Sequence, residues 1–178
     1  MIDPVRFEAF VREYQDMVFA TAARLCGSHT EAEDVAQTVF VRAFEHFDRI
    51  ADDPSVAGWL KTVTTNLCLN HLTRYRARWR LFSELDRVGP GGGAMPFVDS
   101  LVAPAPRESS GYLDQRRGLA RALRTLPAHQ RVPLVLFHFD EMSYQAIADR
   151  LSVSLAKVKT DIHRGREALK AALEDADA

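Results

Sequence analysis

Apolar residues recur every three or four positions through most of this chain, the signature of helices buried along one face. Asp3-Pro4 predicts the first helix start, with Asp3 as N-cap and Pro4 at the first helical position. Phe7, Phe10, Tyr14, Val18, Thr21 and Leu25 make its inner stripe, and Gly27 ends it. Thr30-Glu31-Ala32-Glu33 reads as a capping box, with Thr30 capping and Glu33 reaching back. The helix after it is the most regular: Ala32, Val35, Ala36, Val39, Phe40, Ala43, Phe44 and Phe47 share one stripe. Its opposite face holds Asp34, Gln37, Thr38, Val41 and Glu45. That face suits either the wet back of a core helix or a docking surface for another protein, with Val41 as its apolar centre.

A polar loop from Asp48 to Ser55, closed by Pro54, leads to a helix beginning near Trp59. Leu60, Val63 and Leu67, then Cys68, Leu72, Tyr75 and Trp79, are its apolar positions, and Thr62, Asn66, Asn70 and Thr73 form a second stripe. Three helices in short succession can bury one shared core, so the chain to about Arg80 reads as a compact helical domain. From Ser83 to Gln115 the periodicity is lost: Gly89-Pro90-Gly91-Gly92-Gly93, Pro96, Pro104, Pro106 and Ser109-Ser110-Gly111 predict a flexible linker.

Leu119, Ala120, Leu123 and Leu126 then form a short amphipathic helix, and Pro127 opens another that carries Pro133 inside it. Ser143 caps a short helix with Ala146, Ile147 and Leu151 inward, Ser152-Val153 turns, and Ser154 caps the last helix. Val158, Ile162, Gly165 and Leu169 are its inner stripe. The expected fold class is all-α: two small helical domains joined by a flexible linker, spanning 1–82, 83–112 and 113–178. The second has the short helix, tight turn and longer helix of a helix-turn-helix.

Charge changes this picture by its distribution. The net charge is −1, yet Pro54 to Ser83 has no Asp or Glu and carries Lys61, Arg74, Arg76, Arg78 and Arg80. Residues 1–53 carry 11 acidic and 5 basic side chains, and residues 116–172 the reverse, 11 basic and 5 acidic. Such segregation presents different faces to different partners. Amides along one stripe with arginines at its end suit nucleic acid, amides bonding base edges and arginines holding phosphates; a solvated basic helix is the plainer alternative. The last helix carries Lys157, Lys159, Thr160, His163, Arg164, Arg166 and Lys170 on its outer face. Its first turns would meet base edges in the major groove, and the later cations would lie nearer phosphates.

Cys26 and Cys68 are too few for a disulfide framework, and with His29 and His71 they would form a zinc site only by meeting in space; two buried thiols is the preferred reading. No Gly-rich phosphate loop, catalytic pair or metal set stands out, so no catalytic residue, metal or cofactor is expected. No apolar run reaches bilayer length and no signal-peptide pattern opens the chain, so a soluble, cytoplasmic protein with no membrane insertion is expected. A helix-turn-helix repressor with a helical sensor domain would share these features.

Three stretches together resemble bacterial RNA polymerase sigma factors of the extracytoplasmic-function (ECF) group. The first runs from Ala32-Glu33-Asp34-Val35-Ala36-Gln37 to Phe44, the second from Trp59-Leu60 through Asn66-Leu67 and Asn70-His71-Leu72 to the arginines. The third comprises Leu123 to Pro127, Gln130-Arg131, Ser143 through Ile147-Ala148, and Val158 to Arg166. The resemblance implies a non-enzymatic factor that binds core RNA polymerase, directs it to promoter DNA and promotes melting, with an anti-sigma factor as a further partner. By resemblance, Asp34, Gln37, Thr38, Val41 and Glu45 would bind polymerase. Trp59, Lys61, Asn66, Asn70, Arg74 and Arg76 would read and melt the minus-ten element. Ser154, Lys157, Lys159, Thr160, His163, Arg164 and Arg166 would read the minus-thirty-five element. The chain departs from the family pattern at Thr65, where Arg is frequent, at Asn70 for Asp, at Ala146 for Glu, at Ser152 for Gly, and at Asp161 for a basic residue.

Overall fold

The computed structural model describes residues 2–85 and 110–177, with side chains described for 2–73 and 117–175. The Gly- and Pro-rich stretch expected to be a linker, Gly89 to Ser109, lies outside the described residues. Among those described, every regular element is a helix. In the first half these are α1 (Pro4–Cys26), α2 (His29–Glu45), α3 (Phe47–Ile50) and α4 (Val56–Leu85); in the second, α5 (Ser110–Thr125), α6 (Ala128–His138), α7 (Tyr144–Leu151) and α8 (Leu155–Asp177). Helix α4 starts three residues before Trp59, and it runs past Ser83, as α5 begins before Leu113, into the margins of the expected linker.

In the first half α1 packs on α2 and α4. Asp3 caps α1 by accepting from the Val5 N–H, and Gly27 closes it at φ 71°. The start of α2 differs from the capping-box expectation. Gly27 turns the chain so that Ser28 is extended, and the Ser28 hydroxyl, two residues before Thr30, accepts from the Glu31 N–H. A second correction concerns Phe44. Helix α2 ends at His46, which breaks its register, so Phe47 enters the core from α3. Phe47 meets the rings of Phe7 and Phe10 edge-on at 5.2 and 5.4 Å, while Phe44 stays at the rim, 47% exposed. Val18, Leu25, Ala32, Val39, Ala43 and Leu60 are fully buried, as their spacing predicts.

In the second half α8 packs across α5, α6 and α7. Gly165 lets α8 approach α6 closely, since a Cβ there would stand 3.2 Å from the Gln130 carbonyl oxygen. Pro133 is buried inside α6. Ser143 caps α7 and Ser154 caps α8, each hydroxyl accepting a backbone N–H three residues on. Besides Ile147, α7 buries Ala148.

The turn of the helix-turn-helix carries strain. Ser152 ends α7 in the left-handed region at φ 54°, its N–H bonding the carbonyls of Ala148 and Asp149. An L-residue pays about 1–2 kcal/mol there and glycine does not. Ser152→Gly is therefore expected to raise unfolding stability by about 0.5–1 kcal/mol, glycine's larger unfolded-state entropy offsetting part of the relief. A thermal melt should show the midpoint rise by a few degrees; a fall would mean that the turn is unstrained.

The two halves touch. Helix α6 lies against the C-terminal end of α1, and the segment after α6 reaches α4.

Candidate nucleic-acid and protein interfaces

Three exposed faces result. On α2, Asp34, Gln37, Thr38, Val41 and Glu45 are all exposed, as the helical period predicts. Val41 is 60% exposed, and Phe44, edge-on to Phe7 at 5.0 Å, adds a second apolar side chain one turn away. The sequence pattern hides Phe44 among core positions; its position three residues after Val41 was the available signal. An apolar pair on a polar helix face is what a partner can bury.

On α4, Thr62, Asn66, Asn70 and Thr73 are exposed along one stripe. Thr62 and Thr73 turn their hydroxyls to the carbonyls of Gly58 and Leu69, and the Asn66 side-chain oxygen accepts from Arg150 of α7. Trp59 is half-buried against His46, with ring centroids 6.2 Å apart. The side chains of Arg74 and Arg76 lie outside those described. Thr65, at the family's Arg position, is buried and donates to Asp140 Oδ2 at 3.2 Å.

On α8, Ser154, Lys157, Lys159, Thr160, His163, Arg164 and Arg166 are exposed. Their chemistry is uneven. The Ser154 hydroxyl accepts the Lys157 N–H as the helix cap and keeps its own O–H to donate. Lys157 donates to Asp161 at 2.7 Å, so the acidic departure at Asp161 is a buried local partner rather than a charge facing outward. Arg166 turns back on α6, donating to His138 Nε2 at 3.3 Å and covering the Phe137 ring at 5.4 Å. Burial, then the neighbouring Arg166, hold His138 below the usual histidine range, which keeps it able to accept. Lys159, His163 and Arg164 are the outward-facing members; Thr160, also exposed, turns its hydroxyl to the Ala156 carbonyl at 3.0 Å.

Residues 10–78 match the model of sigma-70 region 2, and residues 116–169 match the model of sigma-70 region 4. The chain is 30% identical to the ECF RNA polymerase sigma factor SigW of Bacillus subtilis, over 97% of this chain and 91% of that protein. The chain belongs to the ECF group of sigma factors. It is also 34% identical to the ECF RNA polymerase sigma factor SigE of Mycolicibacterium smegmatis, over 92% of this chain and 60% of that longer protein. In fold, it resembles the Bartonella quintana sigma factor RpoE, solved in complex with the anti-sigma factor NepR, at 24% identity and TM-score 0.51, over 94% of this chain and 96% of that one. A sigma factor serves promoter-specific initiation by RNA polymerase, and the family is generally non-enzymatic. In this sigma factor α1 to α4 fall in or around region 2, and α5 to α8 in or around region 4.

One residue outside the expected sites organises this arrangement. Arg131 of α6 is only 6% exposed, and its guanidinium donates to the carbonyls of Leu25 at 3.3 Å, Cys26 at 3.0 Å and Leu126 at 2.8 Å. Leu25 and Cys26 end α1, where unpaired carbonyls and the negative end of the helix dipole favour a cation. Burial pulls the Arg131 pKa down, and the nearby Cys26 and Glu31 oppose it. A Cβ at Gly27 would stand 2.4 Å from the guanidinium carbon, so glycine is needed there for space as well as for its positive φ. Beneath it Cys26 and Cys68 are buried with sulfurs 3.4 Å apart, while His29 pairs with Glu33 and His71 with Glu31.

Proposed function

We propose that this sigma factor binds core RNA polymerase through the exposed face of α2, with Asp34, Gln37, Thr38, Val41 and Glu45 as contacts and Phe44 beside them. The stripe of α4 takes the minus-ten element: Asn66 and Asn70 read or trap bases, Trp59 borders the site, and Lys61, Arg74 and Arg76 hold phosphates. Helix α8 takes the minus-thirty-five element through Ser154, Lys157, Lys159, Thr160, His163, Arg164 and Arg166, with Lys159 and Thr160 nearest the bases. Residues 1–82 act as the polymerase-binding and melting domain, 113–178 as the upstream-reading domain, and the segment between them as a tether that lets both promoter elements be engaged at once.

The protein acts without catalysis of its own, in the cytoplasm where polymerase works. No described helix is long and apolar enough to cross a membrane. An anti-sigma factor is a further partner, on the likeness to a sigma factor solved with one. The observation that carries this reading is the exposed amide stripe of α4 within a region 2 match. Run-off transcription with purified core polymerase on genomic fragments tests it: discrete start sites that require the protein are expected. A protein that binds the same fragments without polymerase and yields no transcript would be a repressor instead.

A further inference from the structure

We infer that Cys26 and Cys68 form an oxidisable dithiol site inside region 2, which hydrogen peroxide converts reversibly to a disulfide stapling the end of α1 to the middle of α4. The two thiols stand 42 residues apart in the chain, on helices that pack against each other, and their sulfurs lie 3.4 Å apart. Cys26 is 4% exposed and Cys68 is fully buried. The neighbouring histidines are turned to carboxylates, His29 to Glu33 and His71 to Glu31, so the sulfurs face each other. A buried thiol by itself is an inert packing group, whereas two in contact are placed to be joined. Inside a reducing compartment such a pair stays as thiols until an oxidant arrives.

The hydrogen bond with Cys68 holds Cys26 below the usual cysteine range; burial and Glu31 oppose this, and the Arg131 guanidinium assists. The same hydrogen bond, with burial, pushes Cys68 above that range. Cys26 is therefore the attacking sulfur. Its thiolate takes one peroxide oxygen, the O–O bond breaks, and the leaving hydroxide takes up a proton as water, so that Cys26 becomes a sulfenic acid. The Cys68 sulfur then attacks the Cys26 sulfur. The S–S bond forms, the S–O bond breaks, and hydroxide leaves with the Cys68 proton as water. Two thiols thus lose two electrons and two protons, and one peroxide becomes two waters. A dithiol reductant reverses the change and is itself oxidised to a disulfide. Two residues from both Asn66 and Asn70, Cys68 lies on the opposite side of α4, about 200° round. The bridge therefore leaves the exposed stripe as it is and acts on stability, by closing a loop that the unfolded chain would otherwise leave open.

Peroxide treatment of the intact folded chain, followed by alkylation in denaturant and peptide mass spectrometry, tests the site. The expected product is one chain lighter by two hydrogens, with the Cys26 and Cys68 peptides joined, neither thiol alkylated, and both recovered after dithiothreitol. The bridged chain should melt about 10 °C above the reduced one. Cys26→Ala and Cys68→Ala should each lose that shift, and Cys68→Ala should leave a Cys26 sulfenic acid that dimedone traps. Circular dichroism confirms that each variant is folded; the wild-type mass and melting readouts need neither. Two thiols still free after peroxide, oxygen added to either without a bridge, or a bridge only between chains would overturn the site. A bridged chain that melts no higher than the reduced one would overturn the staple.

Discussion

Arginine at both Asp34 and Val41 is expected to abolish co-purification with core RNA polymerase while leaving the helical content unchanged. Both positions are exposed on α2, Val41 at 60%, so the free protein should bear the change at a cost within about 0.5 kcal/mol, as surface substitutions usually do. The complex should not. Val41 and Phe44 give this face its apolar centre, and a cation placed at the centre of an interface must lose its water without a partner. That penalty, together with reversal of the Asp34 charge, is worth at least about 3–5 kcal/mol, a loss of two orders of magnitude or more in affinity. Pull-down with tagged core polymerase, paired with circular dichroism, reads it. Undiminished binding by the folded double variant would take α2 out of the polymerase interface.

Asn66→Ala is expected to leave polymerase binding and closed-complex formation nearly intact and to depress promoter opening sharply. Holding an unstacked base costs a few kcal/mol, and that cost must be met by a pocket. Asn66 is exposed midway along the stripe of α4 and carries both a donor and an acceptor, so it can pair with a base edge as a threonine hydroxyl turned to its own helix cannot. Loss of such a contact should reduce permanganate reactivity of thymines near the start site by about tenfold, corresponding to roughly 1–3 kcal/mol. A template with a pre-melted bubble should restore transcription in part, because the unpairing is already done. Normal opening by the variant would move the base pocket elsewhere on α4. A wild-type complex with core polymerase that exposes no thymine on any promoter it binds would remove melting from the proposal altogether.

The period of apolar residues was enough for the helices and their faces. It reports which side of a helix is buried, and so the exposed stripes of α2, α4 and α8 were legible from residues a turn or two apart. Caps were legible for the same reason: Asp3, Gly27, Ser143 and Ser154 act within three or four residues of themselves. The sequence also carried enough motif in the right order for the family.

What period and motif leave open is the identity of the neighbour. Phe44 fits the apolar register of α2, yet a break at His46 hands its place to Phe47. Ser28 displaced Thr30 as a cap because the left-handed turn at Gly27 set where the helix could begin. Asp161 reads as a lost positive charge on a DNA-binding helix, but the fold buries it against Lys157. Largest of all, Arg131 caps a helix that ended 105 residues earlier, and Lys61, expected on phosphate, lies on Asp140. Such contacts have no spacing in the chain. Tertiary packing alone decides them, because a buried guanidinium and a half-buried ammonium must take whatever oxygens the fold places within reach.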